Sequence, residues 1–149
     1  MIKNLCLAAI AALSLSLAAP LPALAQESPL RAGDYVEVSM IKVDDGQGLR
    51  YEQYLADTWR KVQEHAKQQG WISGYEIWTN EYGRDGEADL WLITYTPQLV
   101  DTAEAERRDR LYRDFVQQSI AQLEASSGQR AEYRHLAGSM LMRRQTWRN

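Results

Sequence analysis

The order in which the hydrophobic period changes is the tightest restriction on this chain. Alternation every two residues, as in a strand, and recurrence every three to four, as in a helix, succeed one another as β-α-β-β-α-β. In Asp34–Val43, Val36, Val38 and Met40 alternate with Glu37 and Ser39, and Asp44-Asp45-Gly46 signals a turn. Gly48–Gln69 predicts a helix whose stripe is Tyr51, Leu55, Thr58, Val62 and His65 or Ala66, widened by Tyr54 and Trp59. Gly70 suits the left-handed residue that closes a helix. Trp71–Glu81 and Asp89–Thr96 predict two strands joined through Gly83–Gly86, the second stopped by Pro97. Tyr75, Ile77 and Thr79 face away from Glu76 and Trp78; Leu90 and Leu92 alternate with Trp91, Ile93 and Tyr95. Asp101–Glu104 has the pattern of a capping box, with the Glu reaching back to the cap. It heads a second helix running to about Ala125, with Leu111, Phe115 and Leu123 inward, ended by Ser126-Ser127-Gly128. Tyr133–Trp147 is a last strand, with Leu136, Met140 and Met142 assigned to one face and His135, Ser139 and Leu141 to the other.

The first 25 residues predict something other than structure. Lys3 precedes an apolar run from Leu5 to about Ala19, Pro20 and Pro22 follow, and the segment closes Ala23-Leu24-Ala25. This is the layout of a secretory signal peptide, with cleavage expected between Ala25 and Gln26. The run is shorter than the roughly 20 apolar residues of a spanning helix. The expected product is a periplasmic or secreted protein with no membrane segment, a flexible arm over residues 26–33 and one domain over 34–149. Cys6, the only cysteine, leaves with the leader, so disulfides, thiolate metal sites and cysteine nucleophiles are excluded from the product. The whole chain carries a formal net charge of −3, which gives no basic bias toward nucleic acid.

The element order is that of the split βαβ, or ferredoxin-like, unit of the α+β class: a four-stranded antiparallel sheet with two helices on one face. Nothing from the same chain then covers the other face. Trp78, Trp91 and Tyr95 on these strands need burial, and two-fold pairing with a second sheet, a homodimer, is the commonest way to supply it.

This order, the length and the aromatic, two-faced strands resemble the dimeric α/β-barrel superfamily, over roughly Asp34–Trp147. That group includes NIPSNAP-like proteins, antibiotic-biosynthesis-type monooxygenases and haem-degrading monooxygenases. The resemblance implies sheets closed face to face and a pocket inside the barrel or between sheet and helices. The haem-degrading members use an Asn–Trp–His set with the haem-binding histidine on the second helix. The matching stretch here, Thr102–Ala125, has no histidine, so no cofactor is carried over.

Within that frame, Tyr35, Ser39, Trp78, Trp91, Tyr95 and Ser139 are the candidate ligand-binding residues, with Tyr75 among the aromatics that shape a slot for a flat organic ligand. His135, Glu37 and Glu76 are the candidate proton handlers, since burial raises a carboxyl pKa and readies it as a general base. Packing and solvent-facing roles are the competing readings for all of them. The arginines Arg107, Arg108, Arg110 and Arg113 are interleaved with acids and predict a solvated helix face. Glycine-rich phosphate loops, G-x-S-x-G, H-E-x-x-H and zinc or EF-hand spacings are absent. Three functions fit: a small-ligand-binding domain, a cofactor-independent monooxygenase or isomerase, and a non-catalytic interaction module.

Overall fold

The computed structural model describes residues 27–149. The leader and its cleavage point lie outside the described residues. The chain order is β1 (Leu30–Val43), α1 (Gly48–Tyr54), a π-helical turn (Leu55–Trp59), α2 (Arg60–Gln68), β2 (Gly74–Thr79), β3 (Leu90–Thr96), α3 (Thr102–Val116), α4 (Ile120–Ala131) and β4 (Arg134–Trp147). The strands form one open sheet in the order β2-β3-β1-β4, with every pairing antiparallel. The fold is therefore α+β.

The first helical rod is continuous from α1 through the π turn into α2. The wide turn moves the buried stripe: Tyr51 and Leu55 are buried, Thr58 is exposed, and Trp59 takes the next place, edge-on to Tyr75 of β2 at 5.3 Å between ring centroids. The rod ends as expected. Gly70 adopts φ +70°, its N–H bonds to the Lys67 carbonyl and the Trp71 N–H to the Ala66 carbonyl. That is the Schellman arrangement, which a side chain at a left-handed position would strain.

The second helix differs from expectation. It breaks at Gln117, which is left-handed (φ 51°, ψ 41°), and restarts at Ser119. There the Ser119 hydroxyl accepts from the Gln122 N–H and the Gln122 side chain accepts from the Ser119 N–H. This reciprocal cap starts α4, which passes through Ser126-Ser127-Gly128 to Ala131. At Asp101 only half of the expected box forms: its carboxylate accepts from the Glu104 N–H, while the Glu104 carboxylate binds Arg107 and Arg108 instead.

The sheet is also longer than expected at one end. β1 begins at Leu30 rather than Asp34, because Leu30, Arg31 and Ala32 pair with Trp147, Thr146 and Gln145. A ribbon of β1 and β4 thus extends beyond β3. In β4 the register skips Ala137: Met40 pairs with Gly138, but Ile41 with Leu136. A bulge of this kind flips side-chain parity. Leu136 therefore shares a face with Ser139 and Leu141, and His135 shares one with Gly138, Met140 and Met142. The assignment from strict alternation holds only on the far side of the bulge.

The helix-side core gathers where β1 ends and β3 begins: Ile41, Tyr51, Leu55, Leu90 and Tyr133. Tyr51 stacks on Tyr54 and meets Tyr133 edge-on, and burial pushes its hydroxyl pKa up to about 12. Asp89 ties the β2–β3 connection to β1. Its carboxylate accepts from the Val43 N–H at 2.7 Å and from Lys42 at 2.9 Å.

Candidate functional site

The face of the sheet turned away from the helices follows from the register. Val36, Val38 and Met40 of β1 lie beside Tyr95, Ile93 and Trp91 of β3, and beside Met142, Met140 and Gly138 of β4. Glu76 and Trp78 of β2 complete it across from Ile93 and Trp91. Val38 and Ile93, at its centre, are each 3% exposed because their larger neighbours close over them. Those neighbours stay open to water: Trp78 is 57% exposed, Met140 41% and Met142 45%. Met40 lies over Gly138, where a Cβ would come 2.5 Å from its terminal methyl, so the missing side chain gives the methionine its seat.

One end of this face holds a depression of about 700 Å³, lined by Val36, Trp78, Tyr95 and Met142 with the polar groups of Asp34, Glu76 and Arg144 at its margin. The Trp78 indole N–H donates to Glu76 Oε2 at 2.7 Å. The Ser73 hydroxyl donates to Asp34 Oδ2 at 2.6 Å, anchoring the strand leading into β2 to β1. Burial, and then the Glu76 charge, push the Tyr95 pKa up, against Arg144. Tyr95 is a neutral hydroxyl at the pocket wall.

The sequence-selected residues divide between the two faces. Trp78, Trp91, Tyr95 and Glu76 come together on the open face. Tyr35, Ser39, Ser139 and Glu37 lie on the helix-side face, as their pairing with Thr96, Leu92, Thr94 and Leu141 requires. There Tyr35 carries Arg143, whose guanidinium sits 4.5 Å above the ring and donates to the hydroxyl. Glu37 is on a central strand yet exposed. His135 lies at the opposite end of the sheet from the depression, 3.0 Å from Asp44 Oδ1 and largely exposed. Glu37, Glu76 and His135 thus form no shared constellation, and among the described residues no polar or charged residue is buried. Val36, Met142 and Arg144 were missed as site residues. Their signal was the even-numbered parity they share with Val38, Met40 and Met140.

Three further features bear on chemistry. His65 stacks on Phe115 (4.0 Å, 9°) and meets Trp71 edge-on, joining α2 to α3, with its Nε2 buried and without a partner. Among the described residues no group of three or more His, Cys, Asp or Glu side chains could hold a metal ion. No helix there is long and apolar enough to cross a membrane.

Comparison with protein-family models, with curated proteins and with solved structures gave no match in any of the three.

Proposed function

We propose that this chain is an exported binding protein in which two ferredoxin-like protomers pair through their open sheet faces, as in the dimeric α/β barrels it resembles, and enclose a small organic ligand. The single observation that carries the reading is the uncovered apolar face built by Trp78, Trp91, Met140 and Met142. Soluble proteins rarely leave a continuous patch of bulky apolar side chains in water. A second copy is the favoured occupant because the face is apolar at its centre and carries charges of both signs, Glu76 and Arg144, at one end, so that two copies can meet without setting only like charges together. The depression at Val36, Tyr95 and Met142 then becomes the wall of an enclosed pocket of small-molecule size. Binding is favoured over catalysis because the candidate proton handlers stand apart and none is buried.

Light scattering on the chain from Gln26 onward tests the pairing. Twice the protomer mass is expected; a lone protomer at micromolar concentration refutes it. Met140→Arg should weaken pairing about a hundredfold, because two charges would be buried without partners, while circular dichroism stays unchanged. A neutral fluorescent probe, N-phenylnaphthylamine, should bind the dimer and lose its signal in the Met140→Arg variant. Equal binding to both forms refutes the enclosed pocket.

A further inference from the structure

A second cavity lies on the other side of the molecule, and it owes nothing to the sheet face. It is a groove of about 500 Å³ between the α1–α2 rod and the α3–α4 pair. Among the described residues no strand residue lines it. Its apolar surface combines the aromatic rings of Tyr54, Tyr112, Phe115 and Tyr133 with the aliphatic Val62, Val116 and Leu123. Among the described residues three cations stand around it, Arg50, Lys61 and Arg130, against one acid, Asp57. This local excess is positive in a chain whose net charge is negative.

Two of the three cations are held in place by aromatic rings. Arg50 lies 3.9 Å above the Tyr133 ring and Arg130 lies 4.7 Å from the centre of the Tyr54 ring. These contacts orient the guanidinium planes without neutralising them. Among the described residues none of the three takes part in an ion pair, although other basic side chains of α3 are paired with acids of their own helix. The Nε of Arg130 is buried and has no hydrogen-bond partner.

We propose that this groove binds a small aromatic carboxylate, its ring lying among Tyr54, Tyr112 and Phe115 and its carboxylate facing Arg130, with Lys61 and Arg50 supplying long-range attraction. A flat body suits an aromatic slot of this volume. Guanidinium groups match the planar carboxylate by paired N–H donors. Tyr112, whose pKa burial pushes up, adds a neutral donor.

Naphthoate and its neutral analogue naphthalenemethanol are the probes, titrated into the folded protein and followed by amide and indole NMR signals. Naphthoate should bind with a dissociation constant of about 1 mM or tighter. Its shifts should cluster around Tyr54, Tyr112 and Arg130, while the Trp78 and Trp91 indole signals stay still. The neutral analogue should bind at least about tenfold more weakly. Arg130→Gln should weaken naphthoate by about tenfold and leave the analogue unaffected. Lys61→Gln, at an exposed position that tolerates change, should weaken it about threefold and carries the test should Arg130→Gln fail to fold. Equal affinity for acid and alcohol, no binding up to about 10 mM, or shifts confined to the sheet tryptophans would each overturn the proposal. None of these results depends on whether the protein pairs through its sheet.

Discussion

Asp89 illustrates how much a single side chain at the rim of a sheet can hold. It closes the loop from Asn80 back onto β1, with its own N–H donating to the Ile41 carbonyl and its carboxylate accepting from Val43 and Lys42. Burial alone would raise its pKa; the Val43 N–H and the Lys42 charge outweigh that and lower it. A carboxyl held lower in the folded chain than in the unfolded one stabilises fully above its unfolded pKa, near 3.8. That contribution is lost as pH falls through the folded value. Lys42 and Asp89 are 42% and 40% exposed, so solvent screens the ion pair and most of the effect belongs to the Val43 bond. Asp89→Ala should therefore cost about 1 kcal/mol at neutral pH, and the cost should shrink below about pH 4. Urea unfolding at pH 7 and pH 3 measures both, and an equal loss at the two values would contradict the assignment. The pairing partners of Asp89 were not legible in the sequence, because they lie 46 and 47 residues away. Local pairs such as Asp109 with Arg113 were legible, being set by helical spacing alone.

At the scale of elements, the strands and the first helix lie close to where periodicity puts them, and the departures have local causes. The break between α3 and α4 falls where Ser119 and Gln122 make a reciprocal cap, a pattern hidden inside an otherwise continuous apolar stripe. Gln117 bears the cost in its left-handed backbone. Gln117→Gly should thus stabilise the protein by up to about 1 kcal/mol, raising the melting temperature by about 4 °C. A fall in thermal melting would mean that the Gln117 side chain holds the turn. The π turn and the Ala137 bulge were not legible, because each inserts one residue into a regular repeat without changing composition. The bulge changes which candidates share a face, taking His135 away from the face of Ser139.

For the whole molecule, the pairing proposed through the sheet makes stability depend on concentration. A tenfold rise in protein should raise the melting temperature by about 3 °C, whereas a monomer would melt at one temperature throughout. By itself the sequence determined the α+β class, the β-α-β-β-α order of the first five segments and the apolar character of both strand faces, since period and composition are properties of neighbours along the chain. Only the tertiary structure decided the strand order β2-β3-β1-β4, which tryptophans share a face, and that Arg50, Lys61 and Arg130 surround one groove. Those facts depend on register and on the angle between helices. Both are set by long-range packing, in which a one-residue insertion or a broken helix redirects every side chain that follows.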